Sequence, residues 1–262
     1  FKLDKRFSSG IQFSATYAFS KTTAHNGLYN FYDWNAGYGI SANPKHKFTA
    51  NVTWEMPSYK GGQKLMRGLA SGWQLSSIIL GTSARPSDVT MGSYDTDGDG
   101  ITYFRLPGMD INTFGWSVDK DDLRRLVDEY NATYPAPANV ALKDIPRSQR
   151  DARGNAYPYI VLPDDFSNND SFWTADLRLS RAIPLRENVR LQIIAEGFNI
   201  LNISNLTGYS STLDAMVRPA VTGGTPTLPP RGLLFGQPTG RTQSVFGSGG
   251  PRAFQLAARL TF

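Results

Sequence analysis

Ala253–Phe262, AFQLAARLTF, decides how this chain is read. Phe254, Leu256, Ala258, Leu260 and Phe262 fall on one side of an extended backbone, and Gln255, Ala257, Arg259 and Thr261 on the other. Side chains alternate across a strand with period two, so the stretch predicts a β-strand with one apolar face.

The same alternation recurs upstream. Val189, Leu191, Ile193 and Ala195 oppose Arg190, Gln192, Ile194 and Glu196, with only Ile194 breaking the polar row. Trp173, Ala175, Leu177 and Leu179 oppose Thr174, Asp176, Arg178 and Ser180, and Ile183–Asn188 joins these two strands as a hairpin. Phe48 to Met56 and Ile11 to Phe19 repeat the pattern. A weaker strand runs from Trp73 to Gly81, and Phe1–Lys5 reads as the tail of one more, which makes seven.

The connections between these strands alternate in length. Short ones lie at Phe7–Gly10, Pro57–Ser71 and Ile183–Asn188, and long ones at Lys21–Lys45, Ala84–Asp170 and Ile200–Gly250. A soluble β-sandwich has no reason to segregate long and short loops to opposite ends of consecutive hairpins. An outer-membrane barrel does, with short turns on the periplasmic side and long loops outside. Strands of about ten residues also fit a tilted membrane crossing. Aromatic residues fall near the expected strand ends, among them Phe1, Phe7, Tyr17, Phe19, Trp54, Trp73, Trp173, Phe254 and Phe262, as rim girdles would require. The expected fold class is therefore all-β: an antiparallel transmembrane β-barrel with long extracellular loops. The apolar row would face lipid, and Arg178, Arg190, Glu196 and Arg259 would face the lumen.

Composition narrows the function classes. With 40% apolar and 19% charged residues the chain folds rather than remaining disordered. No run approaches the ~20 apolar residues of a membrane-spanning helix. The absence of cysteine excludes disulfides, thiol nucleophiles and cysteine-ligated metals. His25 and His46 lack companion donors at ligand spacing and read as ordinary strand or surface residues. A net charge of +5 is scattered rather than blocked, so nucleic acid is not an expected partner. FKLDKRFSSG, at the first residues, lacks the apolar core of a secretory signal, and the expectation is a piece of a longer protein.

Three segments depart from strand logic. Asp119–Tyr130, DKDDLRRLVDEY, opens on acidic capping residues and sets Leu123, Leu126, Val127 and Tyr130 on one helical face, predicting a short helix inside the 84–170 loop that packs over the barrel mouth. In DTDGDG, Asp95, Asp97 and Asp99 stand on alternate residues, and the carbonyl of Ile101 adds an oxygen, a pattern that suits calcium. An EF-hand would need a bidentate Glu at the position of Leu106, with only Asp110 to stand in for it, so an EF-hand is not expected; the other reading is a solvated acidic turn. LYNFYDWNAGYG, Leu28–Gly39, either stacks a ligand or packs against neighbouring loops, and packing is the expectation. Gly37, Gly39 and Ala42 spell a dinucleotide-like string, but Pro44 forbids the helix it needs, leaving a loop. No signature of a hydrolase elbow, nucleotide loop or zinc protease occurs, and no catalysis is expected.

GGPRAFQLAARLTF, ending at Phe262, resembles the final strand of outer-membrane barrels, whose terminal aromatic is read by the barrel assembly machinery. AEGFNILNISN, Ala195–Asn205, resembles the penultimate-strand motif of TonB-dependent transporters of the Oar-like group, which carry a carboxypeptidase-regulatory-like N-terminal domain. FWTADLRLSRAIPL, Phe172–Leu185, is similar to the strand before it. These motifs cover the last third of the chain. The resemblance implies the last seven or so strands of a barrel of roughly 22, a plug domain and TonB contact supplied outside residues 1–262, and uptake of a bulky nutrient. It also supports calcium, since similar acidic loops recur in the group. Two alternatives stand beside it: a structural or adhesive outer-membrane protein, including a small or split barrel, and a secreted calcium-dependent β-sandwich that binds carbohydrate.

Overall fold

Seven strands pair in the order in which they occur: β1 (Lys2–Ser8), β2 (Ile11–Phe19), β3 (His46–Glu55), β4 (Trp73–Thr82), β5 (Phe172–Arg186), β6 (Val189–Phe198) and β7 (Ala253–Thr261). Every pairing is antiparallel, so the sheet is an uninterrupted meander with β1 and β7 at its two edges. The computed structural model describes residues 1–92, 94–102, 104–134, 142–157, 159–213, 235–242 and 249–262.

Register carries the alternation of each strand across the whole sheet. Ile11, Trp54, Leu75, Leu179, Ala195 and Leu256 are successive cross-strand partners and form one apolar row. The next row is Gln12, Thr53, Ser76, Arg178, Glu196 and Gln255. Partners in a ladder share a face, so six strands agree on one apolar and one polar side.

The burial of these faces is inverted relative to a soluble sheet. On the apolar side Leu256 is 83% exposed and Ile193 41%, whereas Thr174, Ser180 and Ile194 on the polar side are buried. Among the described residues no second sheet lies across the apolar face. A sandwich would bury that row at once, since each large apolar side chain gains about 1.5–3 kcal/mol from burial. Lipid supplies the cover in a barrel.

Aromatic side chains mark both ends of the apolar face. At the loop end Phe1 stacks on Tyr17 at 6.4 Å, the Tyr17 hydroxyl meets His46 Nδ1 at 2.7 Å, and Phe48 lies 6.3 Å from Trp173. At the turn end stand Phe7, Trp54 and Trp73, with the Arg181 guanidinium 5.5 Å from the Trp73 ring. Arg181 sits in the apolar row there, where a long side chain can reach the interface. The two girdles are separated by roughly 20 Å once a strand rise of ~3.4 Å and a tilt of ~40° are combined.

The turns are tighter than their sequence suggested. Ser9 and Gly10 both adopt positive φ, 52° and 77°, as a two-residue hairpin turn demands, and β1 runs through to Ser8. Gly10 is needed twice over, because a Cβ there would fall 2.8 Å from the Glu55 carbonyl oxygen. β5 continues through Ile183–Arg186, so only Glu187 and Asn188 connect it to β6, not the whole Ile183–Asn188 segment. Pro57–Ser71 contains a helix, α1 (Lys64–Ala70), too short and too weakly capped to be read from its sequence.

The hydrophobic core lies in the loops rather than the sheet. Val89, Met91, Leu106 and Phe114 pack with Leu123, Leu126, Val127 and Tyr130 of the helix α2 (Lys120–Thr133), and Leu213 and Phe235 from the Ile200–Gly250 loop complete the cluster. Asp119 caps α2 by accepting from the Asp121 and Asp122 amides, with Asp122 returning the bond, so the helix expected at 119–130 starts at its predicted cap and extends one turn further. Two long loops thus condense into one cored lobe at the loop end. Residues 214–234 and 243–248 of the predicted Ile200–Gly250 loop, and 135–141 of the 84–170 loop, lie outside the described residues.

Candidate functional site

The polar face and the underside of the lobe are the surfaces with chemistry to offer. Arg178, Arg190, Glu196 and Arg259 lie on this one face: Arg178 opposes Glu196, Arg190 opposes Thr261, and Arg259 opposes Gln192. Arg178 and Glu196 pair at 3.7 Å, but both are partly exposed and such a pair contributes ~0–1 kcal/mol. Arg190 and Arg259, nearer the turn end, form no ion pair among the described residues.

Two buried asparagines tie the loop ends of the sheet together. Asn205 is 3% exposed; it accepts from the Trp173 amide at 2.8 Å and donates to the carbonyls of Trp173 and Gly249 at 3.0 and 2.7 Å. Asn199 donates to the Ile203 and Gly250 carbonyls at 2.9 and 2.6 Å, while its own amide is held by Asp176. The segment read only as a family-like motif, Ala195–Asn205, is therefore a clamp joining the loop ends of β5, β6 and β7. Asn199 and Asn202 adopt positive φ, which asparagine tolerates better than most residues.

A cavity of about 590 Å³ opens where this clamp meets the polar face. Lys47, Thr82 and Phe172 share one cross-strand row at the loop end of β3, β4 and β5, and Arg85, Asn169 and Asp170 approach from the lobe. Nothing local in the sequence links these residues, which come from three separate segments. Alternation places Lys47 on the polar face, and that was the only legible part of the cavity.

The aspartate turn is built as a nest of carboxylates. Asp95, Asp97 and Asp99 each bring an oxygen within 4.8 Å of the others, while Asp110 is not part of the group and its carbonyl instead accepts from Thr113. Asp95 is 4% exposed and accepts from the Gly98 and Gly100 amides, both glycines having positive φ, with Arg153 at 3.6 Å. Asp99 accepts from the Ile101 amide and, across 68 residues, from the Phe31 amide at 2.5 Å. That Phe31 bond is the main cause of a carboxyl held below the usual range, against a smaller opposing effect of desolvation. Burial works to raise the Asp151 carboxyl behind the turn, but bonds from Asn155, Asp95 and Arg153 together hold it low.

The aromatic loop departs from its expectation. Leu28–Gly39 does not bury its rings: Phe31 is 68% exposed, Tyr32 73% and Trp34 64%. Tyr29 is half-buried with the Arg105 guanidinium 5.4 Å from its ring, and Trp34 stacks on His25 at 3.8 Å. Gly39 and Gly37 lie in a short pairing and a turn, where added Cβ atoms would strike Ile111 and the Gly27 carbonyl, so their spacing reflects packing and not a dinucleotide site. Phe262 is 92% exposed just past β7.

The model of the outer membrane beta barrel domain matches residues 1–255. No curated protein and no solved structure matches the chain. An exposed apolar face between aromatic rims, short turns at one end and long loops at the other are what such a domain requires in the outer membrane of a Gram-negative bacterium, and the secreted β-sandwich falls with that location. By this match across nearly its whole length, the chain belongs to the outer membrane beta barrel domain family.

Proposed function

We propose that this chain is the closing portion of a TonB-dependent transporter of the Oar-like group and serves the uptake of a bulky nutrient without catalysing a reaction. The observation that carries the reading is the continuous polar face of the meander, roofed at its loop end by a lobe drawn from separate long loops. A transporter needs such a lumen wall and such an outer vestibule. Both edges of the sheet, β1 and β7, need further strands, because hydrocarbon tolerates no unpaired backbone edge. The reading supplies them as a larger barrel of roughly 22 strands. Arg190 and Arg259 would then meet the plug domain, and Phe262 the barrel assembly machinery. Calcium would be taken by Asp95, Asp97 and Asp99, with the Ile101 carbonyl, and would tie the aspartate turn to the aromatic loop.

Formaldehyde cross-linking in intact cells, followed by the mass of the detergent-extracted native polypeptide, tests the reading. Recovery of TonB on a species several times heavier than 28.9 kDa supports it. A species near that mass with no TonB attached sinks it. A structural or adhesive role is the second reading, and the open rings of Phe31, Tyr32 and Trp34 favour it. Cell-surface attachment lost on replacing those three rings, with uptake components absent, would select that alternative.

A further inference from the structure

We propose that the cavity between the polar face and the lobe is a recognition subsite for an acidic carbohydrate. The inference rests on the transport reading for its biological meaning, and on the cavity alone for its chemistry.

Its volume, about 590 Å³, is that of a small-molecule site. Lys47 and Arg85 line it, and neither pairs with a carboxylate among the described residues. Two unpaired cations facing one cavity are an anion's partners, and a guanidinium can hold a carboxylate through two parallel bonds. Asp170 lies in the same wall and, among the described residues, accepts only a long bond, 3.4 Å, from the Leu206 amide. A lone inorganic anion would be repelled by that carboxylate. A sugar acid is not, because its hydroxyls can donate to Asp170 while its acid group faces the cations. Hydroxyls and amides, Thr82 and Asn43 among them, make up much of the rest of the wall, while Pro44, Leu206 and the Phe172 ring supply an apolar surface on which a sugar ring can lie. An apolar nutrient would leave the polar groups desolvated and unpaired, at about 1–3 kcal/mol each.

Position strengthens the assignment. Lys47, Thr82 and Phe172 are neighbours in a single row of the polar face, whereas Arg85 and Asp170 belong to the lobe. A solute held here touches the outer vestibule and the lumen wall together.

The test uses the full-length protein in detergent, titrated calorimetrically with trigalacturonate and, separately, with maltotriose, a neutral trisaccharide. Saturable binding of the acid trimer alone, weakened at least tenfold in Lys47→Gln/Arg85→Gln and unchanged in Arg125→Gln on the exposed side of α2, is expected. Should the double variant fail to fold, protection of Lys47 from acetylation by trigalacturonate in the unaltered protein gives the same answer. No saturable binding of the acid trimer, or equal binding of maltotriose, overturns the proposal. A cavity filled by the plug domain would appear as the first of these outcomes. Since binding is read without energy coupling, its failure with TonB cross-linking intact refutes the subsite alone, and the converse refutes only the transport reading.

Discussion

The indole of Trp173 lies across Gly81, its direct cross-strand partner, in the space a side chain would occupy. A Cβ on Gly81 would fall 2.5 Å from the ring. Gly197 and Phe254 repeat the arrangement two strands away, with a Cβ 3.1 Å from the ring. Each pair lets a rim aromatic lie flat on the sheet where a glycine has left the pleat bare. Gly81→Val should lift the Trp173 ring and cost about 1–3 kcal/mol through overpacking. With five tryptophans in the chain labelled by fluorine, one resonance should shift and the remaining four stay in place. A spectrum without change would mean that the ring does not rest on Gly81.

Asn205→Leu removes three hydrogen bonds at once and strands the Trp173 amide and two carbonyls in a buried setting. Each orphaned group costs about 1–3 kcal/mol, although relaxation recovers part, so a loss of roughly 2–4 kcal/mol is expected. Asn205→Asp keeps the acceptor for Trp173 and forfeits both donations, and should fall between. Urea unfolding of the protein in lipid vesicles measures the order of the three. Equal stability of Asn205→Leu and the unaltered chain would remove Asn205 from its role as a clamp.

The strands were legible because alternation is a local signal: Phe254 to Phe262 or Ile11 to Phe19 can be assigned without knowing any partner. The same holds for α2, whose cap Asp119 and apolar stripe lie within twelve residues. What escaped was everything made by distant segments meeting. Leu213 and Phe235 give no hint that they enter a core with Phe114, and Asn30 gives none that it donates to Asp97. Packing was expected for Phe31 and Trp34 because isolated aromatic runs are mostly buried, yet the loop keeps its backbone pinned and turns its rings outward. The cavity was illegible for the same reason as the core: Lys47, Arg85 and Asp170 have no common period.

Tyr130 is buried in the lobe core with no hydrogen-bond partner for its hydroxyl among the described residues, and burial pushes its ionisation far upward. Its ring meanwhile packs 4.9 Å from Tyr134. The ring stabilises and the hydroxyl does not. Tyr130→Phe should therefore be neutral or stabilising by about 1 kcal/mol, whereas Tyr130→Ala should cost about 3–5 kcal/mol. Hydrogen exchange of the α2 amides in the lipid-embedded protein measures both. A marked loss of protection in Tyr130→Phe would reveal a partner for that hydroxyl.

Acid should release the aromatic loop from the aspartate turn. The Asp99 carboxyl is held low chiefly by the Phe31 amide, so the charged form is what the native contact stabilises. A carboxyl depressed in the folded state contributes fully above its unfolded value, near 3.9, and loses that contribution as pH falls through the lower folded value. Phe31 amide protection, corrected for intrinsic exchange, should accordingly stay level from pH 8 to about 5 and decline below about 4. In Asp99→Asn the acceptor remains but its charge is gone, so protection should be weaker at neutral pH and flat on acidification. If protection in the unaltered chain already decays between pH 7 and 5, the titrating group is not a carboxylate.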